Sequence, residues 1–420
     1  MTTTTSPAPG SLESRTGHLI AALSRGDFEA ASRDFGDVMR GALAPDKLAA
    51  TWQGLEQQVG ALRGVESIEV HSKDGLHAAV ATARFERVEL LIRVVFDAAE
   101  RVVGLFFAPK PAAVDWAPPA YMDVTTFEER EVQVGSQPAL PGFLSLPKGA
   151  GPSPAIVLVH GSGPNDEDET VGKSKVFKDL AFGLASRGIA VLRYVKRSRH
   201  SPAGIVTQKE EVLDAARDAI ELLRATPGID PSRVFVLGHS QGGYLAPRIA
   251  RDNPALAGVV VLAGSTRPLQ DSMLEQLTYF ATLDPTNPGV AAMLEATRRF
   301  KATVEDPALS PDQTVELPTG GSVTGAYFLD VRGYDPPALA ATLPVRLLVL
   351  QGERDYQVTM TDFEGWRAAL SPRPDVVFKV YPGLNHLFVA GEGTPSPAEY
   401  QRPGHVDASV VADIATWILA

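Results

Sequence analysis

The chain has 420 residues, 44% of them hydrophobic, with 39 Lys and Arg against 50 Asp and Glu, a net charge of −11 and no cysteine. At roughly 150 residues per domain, this length calls for two or three domains with ample buried core. The missing thiol excludes disulfides, cysteine-ligated zinc, iron–sulfur clusters and a cysteine nucleophile, and the acidic balance argues against a nucleic-acid or anionic-membrane partner.

Residues 1–10, four threonines followed by serine, prolines and glycine, read as a disordered tail without a basic or apolar targeting segment. The longest apolar run, 257–264, has the length of a strand rather than of a transmembrane helix. The expected compartment is the cytoplasm, and association into a homo-oligomer stays open.

Residues 11–110 read as a small α+β domain. Leu12, Ile20 and Leu23 have helical spacing, Arg25-Gly26 ends that helix, and Asp27 is a competent cap for a restart. Pro45 opens a second helix that runs to Val59, with Leu48, Trp52 and Leu55 on one face. The period then changes, and strands are expected at 67–71, 76–85, 88–96 and 102–107, with a turn at Lys73-Asp74-Gly75. Prolines 109, 111, 118 and 119 mark a stiff linker at 111–120.

Residues 121–420 alternate differently. Continuous apolar strands at 155–159, 189–192, 234–237, 259–262, 347–350 and 376–380 are separated by helical patterns at 177–186, 209–225, 242–251 and 363–370. That alternation predicts a mostly parallel sheet covered on both faces. Residues 265–343 break the rhythm with helical pieces at 269–283 and 290–304 and no strong strand, and read as a helical cap inserted over the sheet's C-terminal edge.

The chemistry centres on Gly238-His239-Ser240-Gln241-Gly242, between an apolar strand and a helix, the setting a nucleophile elbow requires. Ser240 would be the nucleophile, and the backbone amide of Gln241 would face the developing oxyanion. A serine needs a base. His386, on the loop after the last strong strand, is preferred over His405. The carboxylate that orients it should end the preceding strand, where Asp355 is preferred over Glu353. A second oxyanion amide is expected from Ser162 or Gly163 in the loop after residues 155–159, braced by His160. Asp166 through Glu169 read as a solvated acidic loop, so no metal is expected, and Lys196, Arg197 and Arg199 read as a solvated run or as a site for an acidic substrate group. Tyr279, Phe280, Tyr327 and Phe328, with Leu277, are candidate walls of the substrate pocket, or internal packing of the cap.

His160-Gly161-Ser162-Gly163-Pro164-Asn165-Asp166, Phe177-Lys178-Asp179-Leu180-Ala181 and Asp330-Val331-Arg332-Gly333-Tyr334-Asp335-Pro336 resemble a bacterial carboxylesterase branch of the α/β-hydrolases. That branch often carries an N-terminal domain of cystatin-like or nuclear-transport-factor-like shape, and Arg25-Gly26-Asp27-Phe28 and Val94-Val95-Phe96-Asp97 are similar to it. The resemblance implies an α/β-hydrolase fold, hydrolysis of short- to medium-acyl carboxylic esters without a cofactor, and Ser240, Asp355 and His386 as nucleophile, acid and base. The same triad would also serve a thioesterase, a lactonase or an acyltransferase on a biosynthetic intermediate. Val195 stands where the branch usually has Asp, which points to an altered pocket mouth.

Overall fold

The computed structural model describes residues 10–73, 76–110, 116–149, 151–202 and 204–420. The tail at 1–9, the Asp74-Gly75 turn and the linker residues 111–115 lie outside the described residues. The chain divides into two units, residues 1–113 and 114–420.

In the first unit, α1 (Leu12–Ser24) is capped by Ser11, whose Oγ accepts the Ser14 amide, and it gives way to Gly26 at φ 73°. Asp27 then accepts the Ala30 amide and starts another short turn. The helix α2 (Pro45–Val59) begins on its proline. Strands β1 (Leu62–Lys73), β2 (Leu76–Phe85), β3 (Glu89–Phe96) and β4 (Val102–Pro109) follow as an antiparallel meander. Ala79, Ala81, Ala83 and Phe85 alternate with half-exposed neighbours along β2, and they pack with Ile92 and Val94 of β3 against Ile20, Leu23, Leu48 and Trp52. β1 starts five residues before its expected position, since its first residues carry little apolar signal.

The second unit is built on an eight-stranded sheet: β5 (Phe127–Val134), β6 (Leu140–Pro147), β7 (Ser153–Val159), β8 (Ala190–Tyr194), β9 (Ile229–His239), β10 (Gly258–Leu262), β11 (Leu347–Gly352) and β12 (Val376–Tyr381). Its order is β12-β11-β10-β9-β7-β8-β6-β5, parallel from β12 to β8 and antiparallel at the β6 and β5 edge. Val157, Val236, Val261 and Val349 face one buried layer, which holds α4 (Asp214–Ala225), α5 (Gln241–Asp252) and α8 (Met360–Leu370). Ile156, Phe235, Val260 and Leu348 face the other, formed by α3 (Val176–Ala185) and α9 (Ala408–Leu419). Both faces are covered, which is why these strands read as unbroken apolar runs. β5 and β6 have no counterpart among the expected strands, and the exposed Glu128, Glu129, Arg130 and Glu131 leave β5 little hydrophobic signal.

Between β10 and β11 lie α6 (Leu269–Leu283), α7 (Pro288–Glu305), a hairpin pairing Thr314–Glu316 with Ser322–Thr324, and short helices at Gly325–Leu329 and Pro336–Thr342. Phe300, Val304, Leu309, Val315 and Phe328 give this insertion its own small core. The hairpin adds two three-residue strands to an insertion expected to hold no strong strand, both too short for a periodicity to show. Among the described residues no helix is long and apolar enough to cross a membrane.

Candidate active site

Ser240 sits between β9 and α5 at φ 53° and ψ −112°, a left-handed conformation that costs a non-glycine residue on the order of 1–3 kcal/mol. Its neighbours make the turn possible. A Cβ on Gly238 would lie 2.2 Å from the Gly242 carbonyl oxygen, and one on Gly242 would lie 2.2 Å from the Val159 carbonyl oxygen. Both contacts are with backbone, so neither side can yield. Gly242→Ala should therefore destabilise the fold by at least about 3 kcal/mol, the upper end of core overpacking. A urea titration against wild type measures this, and an unchanged midpoint would refute the close-approach argument.

Asp355 follows β11 and is buried. Its Oδ1 accepts the amides of Gln357 (2.7 Å) and Val358 (2.9 Å), and its Oδ2 lies 2.6 Å from His386 Nδ1. The carboxylate thus caps its own turn and holds the proton on Nδ1, leaving Nε2 to receive one. Asn385 Oδ1 accepts the Leu387 and Val389 amides and stiffens the histidine loop. Among the described residues no hydrogen bond joins Ser240 Oγ to His386 Nε2, a contact that commonly tightens only with substrate present. The alternatives are engaged elsewhere: His405 Nδ1 lies 3.1 Å from Asp179, which also takes the Trp116 indole N–H, and Glu353 is exposed.

The loop after β7 carries Ser162 and Gly163, and both line the same cavity as Ser240 and Gln241. Gly161, just before them, is pinned at both ends. Its amide donates to Glu169 Oε1 at 2.6 Å, and its carbonyl accepts Lys196 Nζ at 2.7 Å. The Gln241 amide opens α5, where the helix leaves its first N–H groups without intrahelical partners. His160 donates from Nε2 to the Asp166 carbonyl at 3.0 Å, and burial pulls its pKa down to about 4, so it stays neutral.

Two charged segments depart from the expectation of solvated loops. Asp168 and Glu169 are buried, Asp168 between Arg193 and Lys175, and Glu169 2.8 Å from His239 Nδ1. Lys196 is buried as well, bonded to Gln241 Oε1 (2.8 Å) and Glu211 (3.2 Å), while Glu211 Oε2 accepts the Tyr327 hydroxyl at 2.5 Å. Burial raises the pKa of Glu211, but Lys196 and the Tyr327 hydroxyl together hold it below the ordinary value. Only Lys196, two residues past a buried apolar strand, carried a sequence signal, because a charge at the end of such a strand must find partners; Asp168 and Glu169 lie in the loop well beyond β7.

The cavity has a volume of about 870 Å³. Tyr327 and Phe328 line it, whereas Tyr279 and Phe280 do not. The first turns of α6 supply Leu269, Met273 and Gln276 to the wall, but its later turns pack Tyr279 and Phe280 on Tyr356, with ring centroids 6.0 and 5.3 Å away. The Tyr279 hydroxyl donates to the Pro395 carbonyl at 2.7 Å. The charged wall residues are already paired, Glu211 with Lys196 and Arg267 with Asp362 (2.7 Å) and Glu275 (2.5 Å).

The model of the alpha/beta hydrolase family matches residues 156–400, and a family described as a protein of unknown function, DUF3887, matches residues 18–105. The chain is 38% identical to the esterase EstD of Thermotoga maritima over 400 residues, covering 94% of this chain and 93% of that one. Among solved structures, Est1E from Butyrivibrio proteoclasticus aligns with a TM-score of 0.45 at 14% identity, covering 69% of this chain and 98% of Est1E. An esterase of Pyrococcus furiosus aligns with a TM-score of 0.45 at 15% identity, covering 66% of this chain and 89% of that one.

Proposed function

Since the chain belongs to the alpha/beta hydrolase family, we propose that it cleaves uncharged carboxylic esters through Ser240, with His386 as base and Asp355 as its orienting carboxylate. It is a carboxylic ester hydrolase, like the esterase it matches over nearly its whole length. The observation that carries the site assignment is a serine on a strained strand–helix turn in a chain where a buried carboxylate and histidine are bonded at 2.6 Å.

In the proposed reaction His386 Nε2 takes the hydroxyl proton as Ser240 Oγ attacks the ester carbonyl. The Gln241 amide and the amide of Ser162 or Gly163 hold the negative charge that moves to oxygen. Collapse expels the alcohol, which takes the proton from His386 and leaves an acyl-serine. Water then attacks the acyl-serine, giving one proton to His386, and the carboxylic acid departs as Ser240 regains its hydrogen.

The preference for uncharged esters rests on the cavity wall, where the charged groups are already neutralised by partners. Tyr244 adds a neutral hydroxyl: burial pushes its pKa up to about 12, and its oxygen has no partner among the described residues. A substrate carboxylate would lose water there without gaining a countercharge. The test is kcat/KM for the p-nitrophenyl acetate, butyrate and octanoate esters against the p-nitrophenyl hemisuccinate. The hemisuccinate should be slower than the butyrate by at least about 10-fold, a difference of roughly 1.4 kcal/mol. Equal rates would overturn the uncharged-substrate reading. If no ester were cleaved while a fluorophosphonate still labelled Ser240, acyl transfer to another acceptor would replace hydrolysis as the reading.

A further inference from the structure

We propose that Glu169 is a positioning residue of this esterase site, acting through His239 to tie the oxyanion loop, the nucleophile and the base to one buried carboxylate. The proposal rests on the Ser240–His386–Asp355 reading. Glu169 reaches two pieces of the site directly. Its Oε1 accepts the Gly161 amide at 2.6 Å, immediately before Ser162 and Gly163, and its Oε2 lies 2.8 Å from Nδ1 of His239, the residue before Ser240. His239 passes the connection on, with Nε2 3.0 Å from the carbonyl oxygen of His386 and its ring 4.7 Å from the His386 ring. Glu169 and His239 are both buried, and Glu169 takes a positive φ of 47° to reach them.

The proton count makes the pairing specific. A carbonyl only accepts, so His239 Nε2 must carry a hydrogen. An ionised carboxylate also only accepts, so Nδ1 must carry one too. His239 is then an imidazolium beside a carboxylate, a neutral pair overall, with His386 and Asp355 acting on His239 and His160 acting on Glu169. Burial works against charge on both residues. Even so, Glu169 holds the His239 pKa above the ordinary histidine value, while His239 and the Gly161 amide hold that of Glu169 below the ordinary carboxylate value. Without that neutralisation, a bare carboxylate beside the oxyanion loop would oppose the charge developing there.

The test uses the full chain, with kcat and KM for p-nitrophenyl butyrate and ring-nitrogen NMR of 15N-histidine-labelled protein. Wild type at pH 8 should show both His239 ring nitrogens protonated, and Glu169→Gln only one. Glu169→Ala should lower kcat by about 100-fold, the scale of losing one oxyanion donor, with KM within about two-fold. Glu169→Gln should recover to within about ten-fold of wild type, since its oxygen can accept the Gly161 amide and its nitrogen can face a neutral His239. The proposal falls if wild-type His239 carries a single ring proton, if Glu169→Ala keeps kcat within about three-fold of wild type, or if Glu169→Gln loses as much as Glu169→Ala. Should Glu169→Ala fail to fold, the wild-type spectrum and Glu169→Gln decide. Ser240→Ala, run in parallel, separates the two readings: more than about 1% of wild-type kcat there overturns the triad whatever Glu169 does.

Discussion

Ser240→Ala should lower kcat for p-nitrophenyl butyrate by about 10⁵- to 10⁶-fold and abolish fluorophosphonate labelling while leaving the fold intact. The substitution removes one oxygen from a half-buried position and leaves the new alanine on the same left-handed turn, so Tm should stay within a few degrees of wild type. The oxyanion amides and the cavity remain, and a residual rate above water would reflect them. A companion variant separates strain from chemistry. Ser240→Gly relieves a positive φ that only glycine adopts freely, and it should be as inactive as the alanine variant but more stable, by about 1 kcal/mol. More than about 1% of wild-type kcat in either variant would remove Ser240 from its role.

Asp355→Asn should lower kcat by roughly 10⁴-fold with little change in KM, because the new amide can bind only one way round. The amides of Gln357 and Val358 both donate to Oδ1, so the asparagine oxygen must stay there and its NH₂ must face His386. His386 would then accept on Nδ1 and carry its hydrogen on Nε2, unable to take the proton of Ser240. Gln351 Nε2, which donates to Oδ2 at 3.2 Å, would meet a second donor and add to the misfit. Ring-nitrogen NMR reads the tautomer directly. Unchanged kcat, or an unchanged Nδ1–H, would remove Asp355 from its assigned role. His405→Ala is the matching contrast: its ring bonds Asp179 beside Trp116, so the loss should fall on stability rather than on kcat.

Much of this molecule is legible in its sequence. The apolar strands from 155 to 350 declare a sheet covered on both sides, because only such a strand needs an apolar residue at every position, whereas the edge strand β12 leaves Val377, Lys379 and Val380 exposed. The elbow is legible too, since Gly238 and Gly242 stand where a Cβ would strike backbone. The β5 edge is not, because half of its register faces water and carries charge. Tyr279 and Tyr327 illustrate the limit within one insertion. Both are aromatics in helical surroundings, yet one packs on Tyr356 and the other bonds Glu211 and Gln241 at the cavity wall.

By itself the sequence determined the strand–helix alternation and the tight turn at Ser240, because these depend on hydrophobic period and on steric limits set by near neighbours. Only the tertiary structure decided which charges are buried and what they hold. Glu169 and Lys196 look like solvated residues in the chain, but they lie in the interior, bonded to Gly161 from opposite sides. Burying a charge is favourable only when a counter-charge and hydrogen-bond partners meet it there. Those partners, His239 and Glu211, lie 70 residues along the chain for Glu169 and beyond an intervening helical turn for Lys196, so only folding brings them together.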